Sequence, residues 1–349
     1  MFLACHHGRP PSLRPSPMPL LDTLRDNLLS PIPLAFALGV ITRLIKSEFS
    51  LPKDVYAALS IYLLFALGLK GGYELSHASL DVIVKPAGAT LLLGIVTPLT
   101  AYGVMRYLGR FSTSDSAGMA AHYGSVSAVT FIAAQQFAQR VGVTTEGFMP
   151  TLLTLLESPG IHIALGIGAV QRSTQMRAAG EVAHGSVGAV LHEVLTGRTM
   201  ILLVGGLVVG YLSGASGWKA VSPFFDSGFK GALMLFLLEM GIVAGARVGD
   251  LRKVGPFLLA YGVVMPLLHG ALGVTLGHLA GLSVGGSMVL GTMASSASYI
   301  AAPPAVRLTL PEANPTLSLT AALAITFPFN ILFGIPIYFR IATAIAGGA

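Results

Sequence analysis

Two short polar stretches interrupt long apolar runs, and one repeats the other. Gly124-Ser125-Val126-Ser127-Ala128-Val129-Thr130 continues as Phe131-Ile132-Ala133-Ala134. Ala294-Ser295-Ser296-Ala297-Ser298 continues as Tyr299-Ile300-Ala301-Ala302, at an offset of 168 residues. Lys85, Thr97-Pro98-Leu99 and Gly118 recur at that offset as Lys253, Met265-Pro266-Leu267 and Gly286. Residues 155–159 align with 324–328 at 169, and Gly68 with Gly241 at 173. A colinear series at nearly constant spacing marks an internal duplication, so the chain is expected to fold as two copies of one unit.

The apolar runs say what each unit holds. A transmembrane helix takes about 20 apolar residues, and about ten runs approach that measure. They cover 31–45, 55–69, 87–108, 117–137 and 148–170 in the first half, then 194–212, 229–246, 254–279, 284–304 and 316–339. Only 10% of residues are charged and 53% are hydrophobic, where a soluble domain carries roughly a quarter charged residues. The runs do not alternate as barrel strands do. The fold class expected is an all-α integral membrane protein with about ten spans in two five-helix repeats. An odd number of spans per repeat inverts one copy against the other, an arrangement typical of secondary transporters. The fourth and ninth spans, which hold the polar stretches, would be interrupted crossing helices.

Residues 1–30 read as a weakly ordered tail, polar and proline-rich and without the apolar core of a signal peptide; Met18 is an alternative start. Residues 31–170 form the first repeat, 171–193 a cytoplasmic linker, and 194–342 the second repeat. Basic residues number 12 in the loops on the side of that linker and 5 on the other, which puts the linker inside the cell and both termini outside. The N-terminal Arg9, Arg14 and Arg25 argue the other way. The single Cys5 excludes a disulfide framework, and a net charge of +6 belongs to cytoplasmic loops rather than to nucleic-acid binding.

A helix that unwinds inside a membrane survives only where its freed backbone lines a cavity or meets ligands. Gly124, Ser125, Ser127 and Thr130, with Ser295, Ser296, Ser298 and Tyr299, are therefore the candidate substrate-binding residues. Half-helix N-termini suit an anion, and freed carbonyls and hydroxyls suit Na⁺. Small residues also permit close helix packing, but the pairing of the two stretches across the repeat favours a site. Pro303-Pro304 marks a kink or end of the ninth span. Glu157, before Ser158-Pro159, is an intramembrane carboxylate and a functional candidate by default: it would ligate a cation, carry a proton, or bond to backbone freed by Pro159. Glu239 has the same readings. Thr326 and Asn330, near the repeat counterpart of Glu157, offer neutral oxygens. The Na⁺ candidates are Glu157, Thr130, Ser298, Thr326 and Asn330. His122, His162 and His269 read as structural histidines ahead of a proton relay. His6, His7, His184 and His192 have no zinc-site spacing. No nucleotide-binding, zinc-protease or serine-nucleophile motif is found, so no enzyme activity and no cofactor beyond a coupling Na⁺ is expected.

These residues resemble the sodium-dependent bicarbonate transporter family, the high-affinity type of cyanobacterial carbon concentration. The similarity runs from about Pro31 to Phe339. It is carried by Gly124-Ser125-Val126-Ser127 with Thr130, Met240-Gly241, Leu251-Arg252-Lys253-Val254 and Pro266-Leu267-Leu268-His269-Gly270, and by Pro303-Pro304, Ala313-Asn314-Pro315 and Glu157-Ser158-Pro159. The resemblance implies a Na⁺-coupled symporter that brings bicarbonate across the inner (plasma) membrane by an elevator-like motion. It also implies a scaffold that often trimerises and a small cytoplasmic PII-like regulator. One position departs: the family pattern carries an aspartate where this chain has Tyr299, which holds no charge near neutral pH. That departure leaves open a Na⁺- or H⁺-coupled symporter of another small organic anion. A membrane sensor of the same fold is a third reading.

Overall fold

The structure is a computed structural model, and it describes residues 20–178, 192 and 195–347. Among these residues every regular element is helical. In chain order they are α1 (Leu20–Leu28), α2 (Pro31–Leu44), α3 (Lys53–His77), α4 (Leu80–Gly103), α5 (Thr113–Tyr123), α6 (Ala128–Arg140), α7 (Met149–Glu157) and α8 (Pro159–Ala178). The second half has α9 (Arg198–Phe225), α10 (Phe229–Arg247), α11 (Leu251–Leu279), α12 (Val284–Ser295), α13 (Ala302–Thr309) and a last long helix, α14 (Pro315–Gly347).

Among the described residues seven helices are long and apolar enough to cross a membrane, or eight if α1 and α2, bent by 61° at their junction, count as one span. The sequence suggests about ten. The shortfall has identifiable causes. The α2 helix has 14 residues, which rise about 21 Å against a hydrocarbon core of about 30 Å. The fourth and ninth expected spans are each broken into two short helices, α5/α6 and α12/α13. The expected tail is also shorter than 1–30, because residues 20–28 form α1. Asn27 Nδ2 donates to the Ile331 and Leu332 carbonyls at 2.9 and 3.1 Å. Pro336 has no N–H to offer Leu332, so Asn27 replaces a bond that α14 lacks. Of the expected linker, residues 171–178 continue α8; most of the remainder, with His184, lies outside the described residues, as do His6 and His7.

Helix pairing has a pattern. The α3 helix packs on α9, and α2 on α10. Glycines set both contacts. At Gly39 of α2 a Cβ would lie 2.9 Å from Gly241 Cα of α10, and at Gly206 of α9 it would lie 2.9 Å from Gly68 Cα of α3. Small residues let two backbones touch where lipid supplies no hydrophobic drive. The contact between Gly39 and Gly241 is thus the image of that between Gly206 and Gly68, with the halves exchanged. The same exchange relates α4·α5 to α11·α12, α5·α8 to α12·α14, and α6·α12 to α13·α5.

Two loops tie the broken segments to each other. The loop after α6 reaches the start of α12, where Ser283 N donates to Glu146 Oε1 at 2.6 Å. The loop after α13 reaches the start of α5: Ser114 Oγ donates to Glu312 Oε1 at 2.8 Å, and Asn314 N to Asp115 Oδ1 at 2.7 Å. In each case a carboxylate sits at a helix N-terminus, where the macrodipole favours negative charge.

Candidate functional site

Both breaks fall at the polar stretches. The first helix stops at Tyr123, and α6 begins at Ala128 after Ser127, whose backbone is extended and whose Oγ accepts from Thr130 N at 3.2 Å. Gly124 is required at this break by close approach. A Cβ on Gly160 would stand 1.8 Å from the Gly124 carbonyl oxygen, and one on Gly124 would stand 2.6 Å from Pro98 Cβ. The second break runs from Ser296, also extended, to Ala301.

The breaks meet. Ser127 N donates to Ser296 Oγ at 2.9 Å, and Ser127 Oγ donates to Tyr299 Oη at 3.3 Å. Ser298 N donates to the His122 carbonyl at 2.7 Å, and His122 Nδ1 donates back to the Ser298 carbonyl at 2.6 Å. Ser298 Oγ accepts from Ala302 N at 3.3 Å and so caps α13. Ser125, Ser127, Thr130, Ser295, Ser296 and Ser298 are all buried, whereas Tyr299 is half-buried with its ring edge-on to Phe327.

The α6 N-terminus points at this junction. The N–H groups of Ala128 and Val129 lie in the first turn, where no intrahelical acceptor exists. Positive partial charge from the helix adds to them. The matching end of α13 differs, because Pro303 and Pro304 have no N–H to give.

The remaining candidates occupy neighbouring positions rather than one ring. Ser125 Oγ donates to the Glu157 carbonyl at 2.7 Å, at the step between α7 and α8. The Glu157 side chain is buried with its Oε2 unpartnered. Ser295 and Asn330 are paired: Asn330 Nδ2 donates to the Ser295 carbonyl at 3.1 Å, and Tyr338 Oη lies 3.1 Å from Asn330 Oδ1. Thr326 Oγ1 donates to the Gly262 carbonyl at 2.8 Å and is 2.6 Å from Tyr123 Oη, which donates to it. Pro266 lies four residues after Gly262 and cannot fill that carbonyl itself, so Thr326 does.

Sequence reasoning passed over Tyr123 and Tyr338. Both phenols bond to the candidates Thr326 and Asn330, and a tyrosine directly before Gly124 was the one available signal. The histidine readings gain specific partners. His162 Nδ1 donates to the Ser158 carbonyl at 2.8 Å, and His269 Nε2 lies 2.8 Å from Thr100 Oγ1. Glu239 Oε2 accepts from Leu51 N at 3.2 Å, a backbone contact between α10 and the loop before α3.

The model of the Na⁺-dependent bicarbonate transporter superfamily matches residues 31–343. No curated protein matches the chain.

Proposed function

The chain belongs to the Na⁺-dependent bicarbonate transporter superfamily, and on that premise we propose that it is a Na⁺-coupled symporter importing a small anion, bicarbonate in the first instance. One observation carries the site: Ser127 N donates to Ser296 Oγ at 2.9 Å, so the two interrupted helices converge where the α6 N-terminus presents its free N–H groups. The anion binds there, to Ser127, Thr130 and Ser296 with Ser298 and Ser125 beside them. Glu157 supplies the negative charge for Na⁺, supported by its buried, unpartnered oxygen. Thr130 and Ser298 are the neutral ligands in this reading. The hydroxyl of Thr326 and the amide of Asn330 already serve protein partners. Each charge offsets the other in a medium of low dielectric, so Na⁺ and anion raise one another's affinity.

The pairing that survives exchange of the halves supports ten spans in two inverted repeats, residues 31–170 and 194–342, and the proposal places them in the cell's inner membrane. The family's homotrimer and PII-like cytoplasmic regulator extend to this chain as part of the same proposal. A second reading rests on Tyr299, which hydrogen-bonds Ser127 where the family pattern carries an aspartate. The phenol donates to an anion without charge, which suits H⁺ coupling or an organic carboxylate.

The test is uptake of radiolabelled bicarbonate into proteoliposomes with and without an inward Na⁺ gradient. Wild type is compared with the Ser127→Ala, Ser296→Ala double variant. Na⁺-dependent uptake abolished in the variant is the expected result. Na⁺-independent anion binding would end the coupling reading. Na⁺-dependent thermal stabilisation by another anion, without bicarbonate uptake, would replace the substrate.

A further inference from the structure

The outer half of α6 is unlike the rest of that helix. Phe131, Ile132, Ala134 and Phe137 are buried, whereas Gln135 and Gln136 are half-buried and Gln139 and Arg140 are exposed. The three glutamines make no hydrogen bond among the described residues, so their amides are uncommitted. They line two cavities of about 360 and 280 Å³ that share Gln136, Gln139 and Lys230 and thus form one cleft. The second wall comes from α3 and from the turn between α9 and α10.

Charge in the cleft is unbalanced. Lys70 Nζ pairs with Asp226 Oδ1 at 2.8 Å. Arg140 Nη2 donates to Asn27 Oδ1 at 2.8 Å, and Asp26 of α1 acts on it electrostatically. Lys230 has no acidic partner among the described residues. Three cations therefore meet two carboxylates, with flexible amides between them.

The repeat supplies a second observation. Adding 168 to 135, 136, 139 and 140 gives Pro303, Pro304, Arg307 and Leu308, and those four residues line a cavity of about 450 Å³ in the other half. The duplication has kept an opening at the same four positions of α6 and α13. The α6 copy is built of amides and cations, whereas the α13 copy has one cation, Arg307, and no amide.

We propose that the cleft bounded by Lys70, Gln135, Gln136, Gln139, Arg140 and Lys230 is an anion-collecting vestibule on the face that the basic-residue count places outside the cell. This rests on the reading of the protein as an anion importer. Its ligand class is a small monovalent oxyanion such as bicarbonate or a short carboxylate. Amides donate to such an oxyanion without the charge that would trap it, and the lysines raise its local concentration. From Gln136 to Ser127 is about 13 Å along α6, and the intervening buried residues separate the vestibule from the binding junction.

The test uses a Cys5→Ser background, in which Gln136→Cys is the sole thiol, reconstituted in vesicles. Thiol modification is timed with an anionic sulfonatoethyl methanethiosulfonate and with a cationic trimethylammonium analogue. Expected is a preference of about threefold or more for the anionic reagent from the outside. Lys70→Gln with Lys230→Gln should erase that preference. In the thiol-free protein the same double substitution should raise the anion KM several-fold at low salt, leave the maximal rate unchanged, and lose the effect at high salt. A reagent preference without any bicarbonate uptake would keep the vestibule and discard bicarbonate as the substrate. Equal or absent modification by both reagents, or modification only from the side of the linker, would overturn the vestibule.

Discussion

The first and second breaks come from one duplicated sequence, yet they are finished differently. The first spans Gly124 to Ser127 and ends in a serine cap that opens onto free N–H groups of α6. The second is longer, from Ser296 to Ala301, and opens onto a helix whose first turn holds two prolines. Beside the first stands Glu157 with an unpartnered oxygen. Beside the second stands Asn330, which donates to the Ser295 carbonyl, while Thr326, the repeat counterpart of Glu157, is taken up by the Gly262 carbonyl and the Tyr123 hydroxyl. The difference separates two jobs. Duplicated glycines and prolines keep both halves in one geometry, while the groups at the two breaks have been free to diverge. In the proposed reading the first half supplies the free N–H groups and the carboxylate, and the second half contributes only neutral hydroxyls.

The largest effect expected from breaking the first half is structural. Gly160→Val would force side-chain atoms onto the Gly124 carbonyl, which a Cβ would already approach to 1.8 Å. Both groups belong to tightly placed backbone, so overpacking at the upper end of the usual 1–3 kcal/mol is expected. Thermal unfolding in detergent should fall by several degrees, or folded protein should be lost. An unchanged transition would mean that the two breaks do not depend on this contact.

Next come Glu157 and its counterpart Thr326, tested as a pair. Glu157→Gln keeps the shape and removes the charge. It should abolish Na⁺-dependence of anion uptake, a loss of tenfold or more, without lowering the yield of folded protein. Thr326→Val should do the reverse. It leaves the Gly262 carbonyl and the Tyr123 hydroxyl unpaired, at about 1–3 kcal/mol, and its surviving protein should keep its Na⁺-dependence. If both variants lose coupling equally, the division between the halves fails.

How much of this could be read from the chain beforehand depends on periodicity. The apolar helices and the position of both breaks are legible, because they rest on apolar run length and on a repeated Ser-rich pattern. The count of spans is less so. A run of 14 residues at α2 and two helices that stop midway do not meet a length criterion, although each occupies a repeat-related place. The helix at residues 20–28 was hidden because its evidence lies more than three hundred residues away, in carbonyls that Pro336 leaves unpaired. The pairings at Thr326 and Asn330 were hidden for the same reason. A sequence shows which oxygens are available, and only the fold shows which are already taken.

Ser127 and Ser296 sharpen the comparison at smaller scale. Ser127→Ala removes the cap on α6, worth about 1 kcal/mol, together with the bond to Tyr299. Ser296→Ala removes the acceptor for Ser127 N and the hydroxyl that donates to the Met293 carbonyl in the last turn of α12, but leaves the α6 cap intact. Both should raise the anion KM, and the first should raise it more, by up to about tenfold, since 1.4 kcal/mol corresponds to a factor of ten. Uptake measured across anion concentrations at fixed Na⁺ checks the order.

The smallest effect belongs to the prolines, and it is the most discriminating. Pro303→Ala with Pro304→Ala gives α13 the N–H groups that α6 already has, at positions that tolerate either residue because an N-terminal turn needs no intrahelical donor there. If the anion lies only at the α6 end, the restored donors face no ligand and the KM should change by less than twofold. A several-fold fall in KM would show that the anion sits between both helix ends and that the second half was kept from binding it by proline alone. In that case the asymmetry would be one of degree, set by two missing N–H groups, rather than a separation of roles.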